Sequence, residues 1–71
     1  MKTFYVTFGQ VHAHAIAGKT FDRDCVASIV AKDEGEARKM AFEYFDDKWC
    51  FMYSDLEKVG LHYYPRGIIA L

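Results

Sequence analysis

Seventy-one residues with a formal net charge of −1 leave room for one small domain (1–71) and one core. That balance excludes a domain that binds nucleic acid through a broad basic surface, and no apolar run approaches the ~18 residues of a membrane span. Charge is nonetheless segregated, with residues 1–32 at +2, residues 33–48 at −3 and the remainder neutral.

In chain order, Lys2 to Phe8 alternates, with Phe4, Val6 and Phe8 on one side and Tyr5 and Thr7 on the other. This is the period of a half-buried strand. Gly9 interrupts the pattern, as at a bulge, and alternation resumes to Ile16. A return arm runs from Phe21 to Ala31, with Cys25, Ala27, Ile29 and Ala31 on the core side. The two arms predict a long β-hairpin, 3–16 with 21–31, folded about Gly18-Lys19. Gly supplies the positive φ of a primed turn. In that register Phe8 faces Ile29 and Val6 faces Ala31.

Asp33 followed by Glu36 is a capping box and predicts a helix over 34–46. Its apolar stripe is Ala37, Met40, Ala41, Tyr44 and Phe45. The expected core is Phe4, Val6, Phe8, Ile29, Ala37, Met40, Ala41 and either Tyr44 or Phe45. Trp49 to Tyr53 reads as a short strand buried on both faces, and 54–60 as a loop or helical turn. Leu61 to Tyr64 reads as a further strand closed by Pro65-Arg66-Gly67, and Ile68 to Leu71 as an edge strand. The fold class is α+β, with one helix packed on an antiparallel or mixed sheet in the order ββαβ, with or without one further strand.

Met1-Lys2 leads directly into the first strand, so no signal peptide is expected. Cys25 and Cys50 are then reduced, half-buried thiols of a cytoplasmic protein, not a disulfide. In apolar surroundings they are inert, and no serine has an adjacent base, so no enzymatic activity is expected. Ala13-x-x-x-x-Gly18-Lys19-Thr20 fits a relaxed phosphate loop, but the strand-like residues after it make it a hairpin turn. His12 and His14 share a strand face opposite Asp22 and Asp24, the set that would hold a metal if one were bound. Cross-strand His–carboxylate pairs near a hairpin tip are ordinary surface chemistry, so neither metal nor cofactor is expected.

Aromatic residues make up 17 % of the chain, more than one helix–sheet interface hides, so ring surface is expected in an interface. Tyr63-Tyr64-Pro65-Arg66-Gly67 combines rigid rings, a guanidinium and a constrained turn, as binding hot spots do. With Tyr5 beside them, Tyr63, Tyr64 and Arg66 are the candidate binding residues. The same side chains suit a nucleotide, with rings stacking and Arg66 reaching a phosphate. A homodimer, or a complex burying the face that carries Tyr5, Thr7, Val26 and Val30, is also expected.

Phe4-Tyr5-Val6-Thr7-Phe8-Gly9-Gln10, His12 and His14, the Glu36-Ala37-Arg38-x-x-Ala41-Phe42 helix and Tyr64-Pro65-Arg66-Gly67 together resemble short accessory proteins of tailed phages and prophages. The resemblance implies a non-catalytic binder of a host protein in the host cytoplasm, of the kind that inhibits defence systems such as CRISPR effectors. The alternatives are a small nucleotide- or nucleic-acid-binding domain and a His/Asp metal-dependent enzyme.

Overall fold

A computed structural model describes residues 1–9, 14–16 and 18–71, with His14 through its backbone alone. The domain is α+β, as the patterning predicts. Strand β1 (Lys2–Thr7) pairs antiparallel with β4 (Cys25–Ala31), and β2 (His14–Ile16) with β3 (Lys19–Phe21). The remaining elements are α1 (Glu34–Phe45), β5 (Phe51–Tyr53), α2 (Leu56–Val59), a 3-10 turn (Leu61–Tyr63) and β6 (Gly67–Ala70). The main sheet is mixed, in the order β5-β1-β4-β6. Among the described residues no helix is long and apolar enough to cross a membrane.

The predicted hairpin is present but divided. Ile16 pairs with Lys19, and Gly18 stands between them with φ +76°, so the reversal falls one residue earlier than expected. Farther down, Phe4 rather than Phe8 faces Ile29, and Val6 faces Ala27. The offset is four residues. Being even, it leaves every side chain on the expected face. Half of it comes from the earlier reversal, and the other half arises because Thr7 to His14 spans seven residue steps where the facing stretch from Phe21 to Val26 spans five. The return arm itself is broken by a turn at Asp22. The Asp22 carboxylate accepts from Asp24 N–H at 3.0 Å, and Asp22 C=O accepts from Cys25 N–H at 3.3 Å. These local bonds compete with the ladder and split the return arm into β3 and β4.

Helix α1 starts as predicted. Asp33 accepts from Glu36 N–H at 2.8 Å, and Glu36 reaches back to Lys32 N–H at 3.3 Å. Ala37, Ala41 and Phe45 form its buried stripe and lie over Phe4, Val6, Phe8, Ala27, Ile29 and Ala31. Of the two expected alternatives Phe45 enters the core, whereas Tyr44 is exposed and Met40 packs at the margin. Phe21, Phe8 and Phe45 make an aromatic centre, with centroids of 5.3 Å for Phe21–Phe45 and 4.8 Å for Phe8–Phe45. Cys25 lies at this core as expected, but Cys50 is exposed; both thiols are free.

Two other expectations are corrected. Trp49 to Tyr53 is not a doubly buried strand: only Phe51–Tyr53 pairs, at the sheet edge, and Phe51 is 63 % exposed. Leu61 to Tyr64 is not a strand. Gly60 adopts φ +72°, and Tyr63 N–H and Tyr64 N–H donate to Gly60 and Leu61, so turn bonds replace the ladder. The predicted C-terminal edge strand is β6, which runs parallel to β4. Leu71 N–H donates to Ser28 C=O, so Ile68 and Ala70 turn their backbone groups away from β4. Ala70 C=O accepts from Lys19 Nζ at 2.6 Å.

On the sheet face away from α1, Tyr5 stands opposite Ser28 and Tyr53, and Thr7 opposite Val26 and Phe51. Thr7 and Val26 are buried there, and so is Val59 of α2, which packs against β5; Val30 stays exposed.

Candidate functional site

The segment from Tyr63 to Arg66 is built by glycines and a proline. Gly60 in the left-handed region lets the Tyr63 ring lie close over it: a Cβ on Gly60 would stand 3.1 Å from that ring. Tyr63 is exposed and lies against His62, with centroids 4.0 Å apart. Tyr64 is half-buried and opens a reverse turn closed by Gly67 N–H donating to Tyr64 C=O at 3.0 Å. Pro65 holds the second position of that turn, where its fixed φ fits.

Arg66 is held from both ends. Its backbone N–H donates to Asp24 C=O at 2.8 Å, and its guanidinium donates to the Asp22 carboxylate at 3.0 Å. It thereby fastens the entry of β6 to the turn between β3 and β4. Asp22 is thus committed to Arg66 and to the Asp24 amide, and Asp24 lies 3.9 Å from Arg23. Tyr63, Tyr64 and Arg66 share one surface segment, but among the described residues no ring contact or hydrogen bond joins them to Tyr5.

Of the four residues weighed as metal ligands, His12 and the side chain of His14 lie outside the described residues, and among those described no three metal-binding side chains cluster. Beside Asp22, Cys25 donates weakly to Asp22 C=O and accepts from Asp22 N–H. Burial pushes its thiol pKa up, against the lowering effect of the backbone bond, so it is a poor nucleophile at neutral pH.

A second site was not foreseen. An open groove of about 410 Å³ lies between the end of α1 and β5, lined by Arg38, Phe42, Asp47, Trp49, Phe51 and Met52, with the exposed Cys50 beside them. Arg38 and Phe42 are four residues apart and so share a helix face adjacent to the buried stripe. The chain then reverses sharply. Lys48 N–H donates to Phe45 C=O at 3.0 Å, and Asp46 takes φ 55° and ψ −128°. Those angles belong to the first central position of a type II′ turn, which favours Gly.

The turn brings Trp49 back onto α1. Its ring meets Phe42 edge-on at 5.3 Å, and the Arg38 guanidinium lies 5.3 Å over its centroid. The Trp49 indole N–H is buried with no acceptor among the described residues. Phe42 and Phe51 remain 49 % and 63 % exposed. In the sequence, the i, i+4 pair Arg38/Phe42 followed by Trp49 just beyond Asp46-Asp47 was the available signal. An apolar 49–53 run hid it by resembling a buried strand.

In comparison with known proteins, the chain matches no family model, no curated protein and no solved structure.

Proposed function

We propose that this domain is a non-catalytic binder of a protein partner. Following its resemblance to short phage proteins, we place the partner in the host cytoplasm, as a component of a defence system that the domain inhibits. One observation carries the reading. Val30, Phe42, Tyr44, Phe51, Tyr63 and Ile68, carried on β4, α1, β5, the 3-10 turn and β6, are each more than 40 % exposed, a large share of the big apolar side chains of so small a domain. Aromatic anchors of this kind supply most of the binding energy where two proteins meet. Arg66 is engaged by Asp22, so the phosphate contact of the nucleotide alternative has less support.

The test is affinity purification of the tagged chain from host lysate, followed by titration of the purified partner. Tyr5→Ala, Tyr63→Ala and Tyr64→Ala identify the binding face; a true anchor costs at least ~2 kcal/mol, roughly thirty-fold in affinity. Saturable, salt-sensitive binding of nucleotides or oligonucleotides in the absence of any protein partner replaces this reading with the nucleic-acid one.

A further inference from the structure

We propose that the groove between α1 and β5 receives an acidic, apolar segment of the partner. One Asp or Glu carboxylate pairs with Arg38, and a neighbouring aromatic or aliphatic side chain enters between Phe42, Phe51 and Met52. The assignment rests on the protein-binding reading and names the chemistry of the partner. Arg38 is exposed, and no carboxylate reaches its guanidinium among the described residues. The Arg38 guanidinium carbon stands 5.3 Å from the Trp49 ring centroid, a cation–π contact that holds the charge beside the groove. A carboxylate arriving there accepts two parallel hydrogen bonds from the planar fork.

The walls suit an apolar anchor. Phe42 and Phe51 expose ring surface on two sides, and the volume falls within the ~300–1,000 Å³ common to binding sites. Two features carry a cost in the free domain. The Trp49 N–H is buried without an acceptor, and Asp46 holds a backbone conformation suited to glycine. Strained backbone of this kind clusters at ligand clamps and switch regions. Asp47 on the lining and Asp46 beside it disfavour a run of phosphates, and Arg38 is the one cation among the described residues of the lining, enough for a single carboxylate. That separates a peptide from a nucleic acid.

Trp49 is the chain's single tryptophan, so its emission reports on this groove. A random dodecapeptide display library is selected on the immobilised full chain, and enriched peptides are synthesised and titrated against Trp49 fluorescence. Enriched peptides should pair Asp or Glu with an aromatic or aliphatic residue and shift the emission saturably. Arg38→Gln should weaken them by at least about tenfold while circular dichroism stays unchanged. Changing the peptide Asp to Asn should cost as much in the native protein and nothing further in Arg38→Gln. Arg38→Lys should restore little, because the fork is lost.

No enrichment, peptides lacking an acid, unchanged affinity in Arg38→Gln, or a salt-sensitive response to oligo(dT) in place of peptide would each overturn the proposal. A purified protein partner that binds Arg38→Gln with native affinity removes the groove assignment and leaves the protein-binding reading standing.

Discussion

Replacing Asp46 by Gly should stabilise the domain. Asp46 is exposed and sits at φ 55°, ψ −128°, where its Cβ is crowded. A non-glycine residue in such a region carries about 1–3 kcal/mol of strain. Glycine removes that strain but loosens the unfolded chain, which returns about 0.5–1 kcal/mol. Removing a carboxylate from the negative end of α1 adds about 0.3 kcal/mol. The net gain is about 1 kcal/mol, or roughly 4–8 °C in Tm for a domain of this size. Asp46→Ala is the control: it loses the charge but keeps the Cβ, so it should gain only a few tenths of a kcal/mol. Urea unfolding followed by far-ultraviolet circular dichroism measures both variants. If Asp46→Gly proves no more stable than Asp46→Ala, the turn is not strained and the reasoning fails.

Phe21→Ala should cost ~3–5 kcal/mol, because it opens a cavity between Phe8 and Phe45; Phe21 is fully buried. Against a total of about 4–10 kcal/mol for a chain this short, the variant should lose roughly half of its stability, read as a urea midpoint falling well below that of the native chain. Asp33→Ala should cost ~1 kcal/mol by freeing the Glu36 amide, read as a lower urea midpoint at constant slope. Iodoacetamide with mass-spectrometric readout should label Cys50 well before Cys25. Because the folded Cys25 pKa lies above its unfolded value, its contribution to stability is complete below the unfolded thiol pKa and is lost as pH rises through the folded one. A Cys25→Ser variant should therefore show a shallower decline of stability above about pH 9.

The elements legible in the sequence were those set by nearby residues. Alternation through Phe4, Val6 and Phe8 placed the right side chains inside, and Asp33 with Glu36 fixed the start of α1. Register was not legible, because the alternation fixes faces but not how many residues each arm spends between the two ladders, seven steps from Thr7 to His14 against five from Phe21 to Val26. The four-residue offset kept the faces and hid the error. Tyr63, Tyr64 and Arg66 were identifiable as one segment, but the pairing of Arg66 with Asp22 is tertiary and left no local mark. The groove depends on Arg38, Phe42 and Trp49 meeting across a turn whose key residue, Asp46, is not the glycine that normally signals it.

The ammonium of Lys19 on the carbonyl of Ala70 bears on how the protein behaves at high concentration. Strand β6 is short, uncharged and apolar, and its outward amides offer a template for another molecule's strand. A charged side chain laid along that border makes stacking of one domain against the next unfavourable, because any arriving strand must displace and desolvate it. Lys19 should therefore act as a gatekeeper against amyloid-like growth. A Lys19→Leu preparation should be the one that turns cloudy on storage.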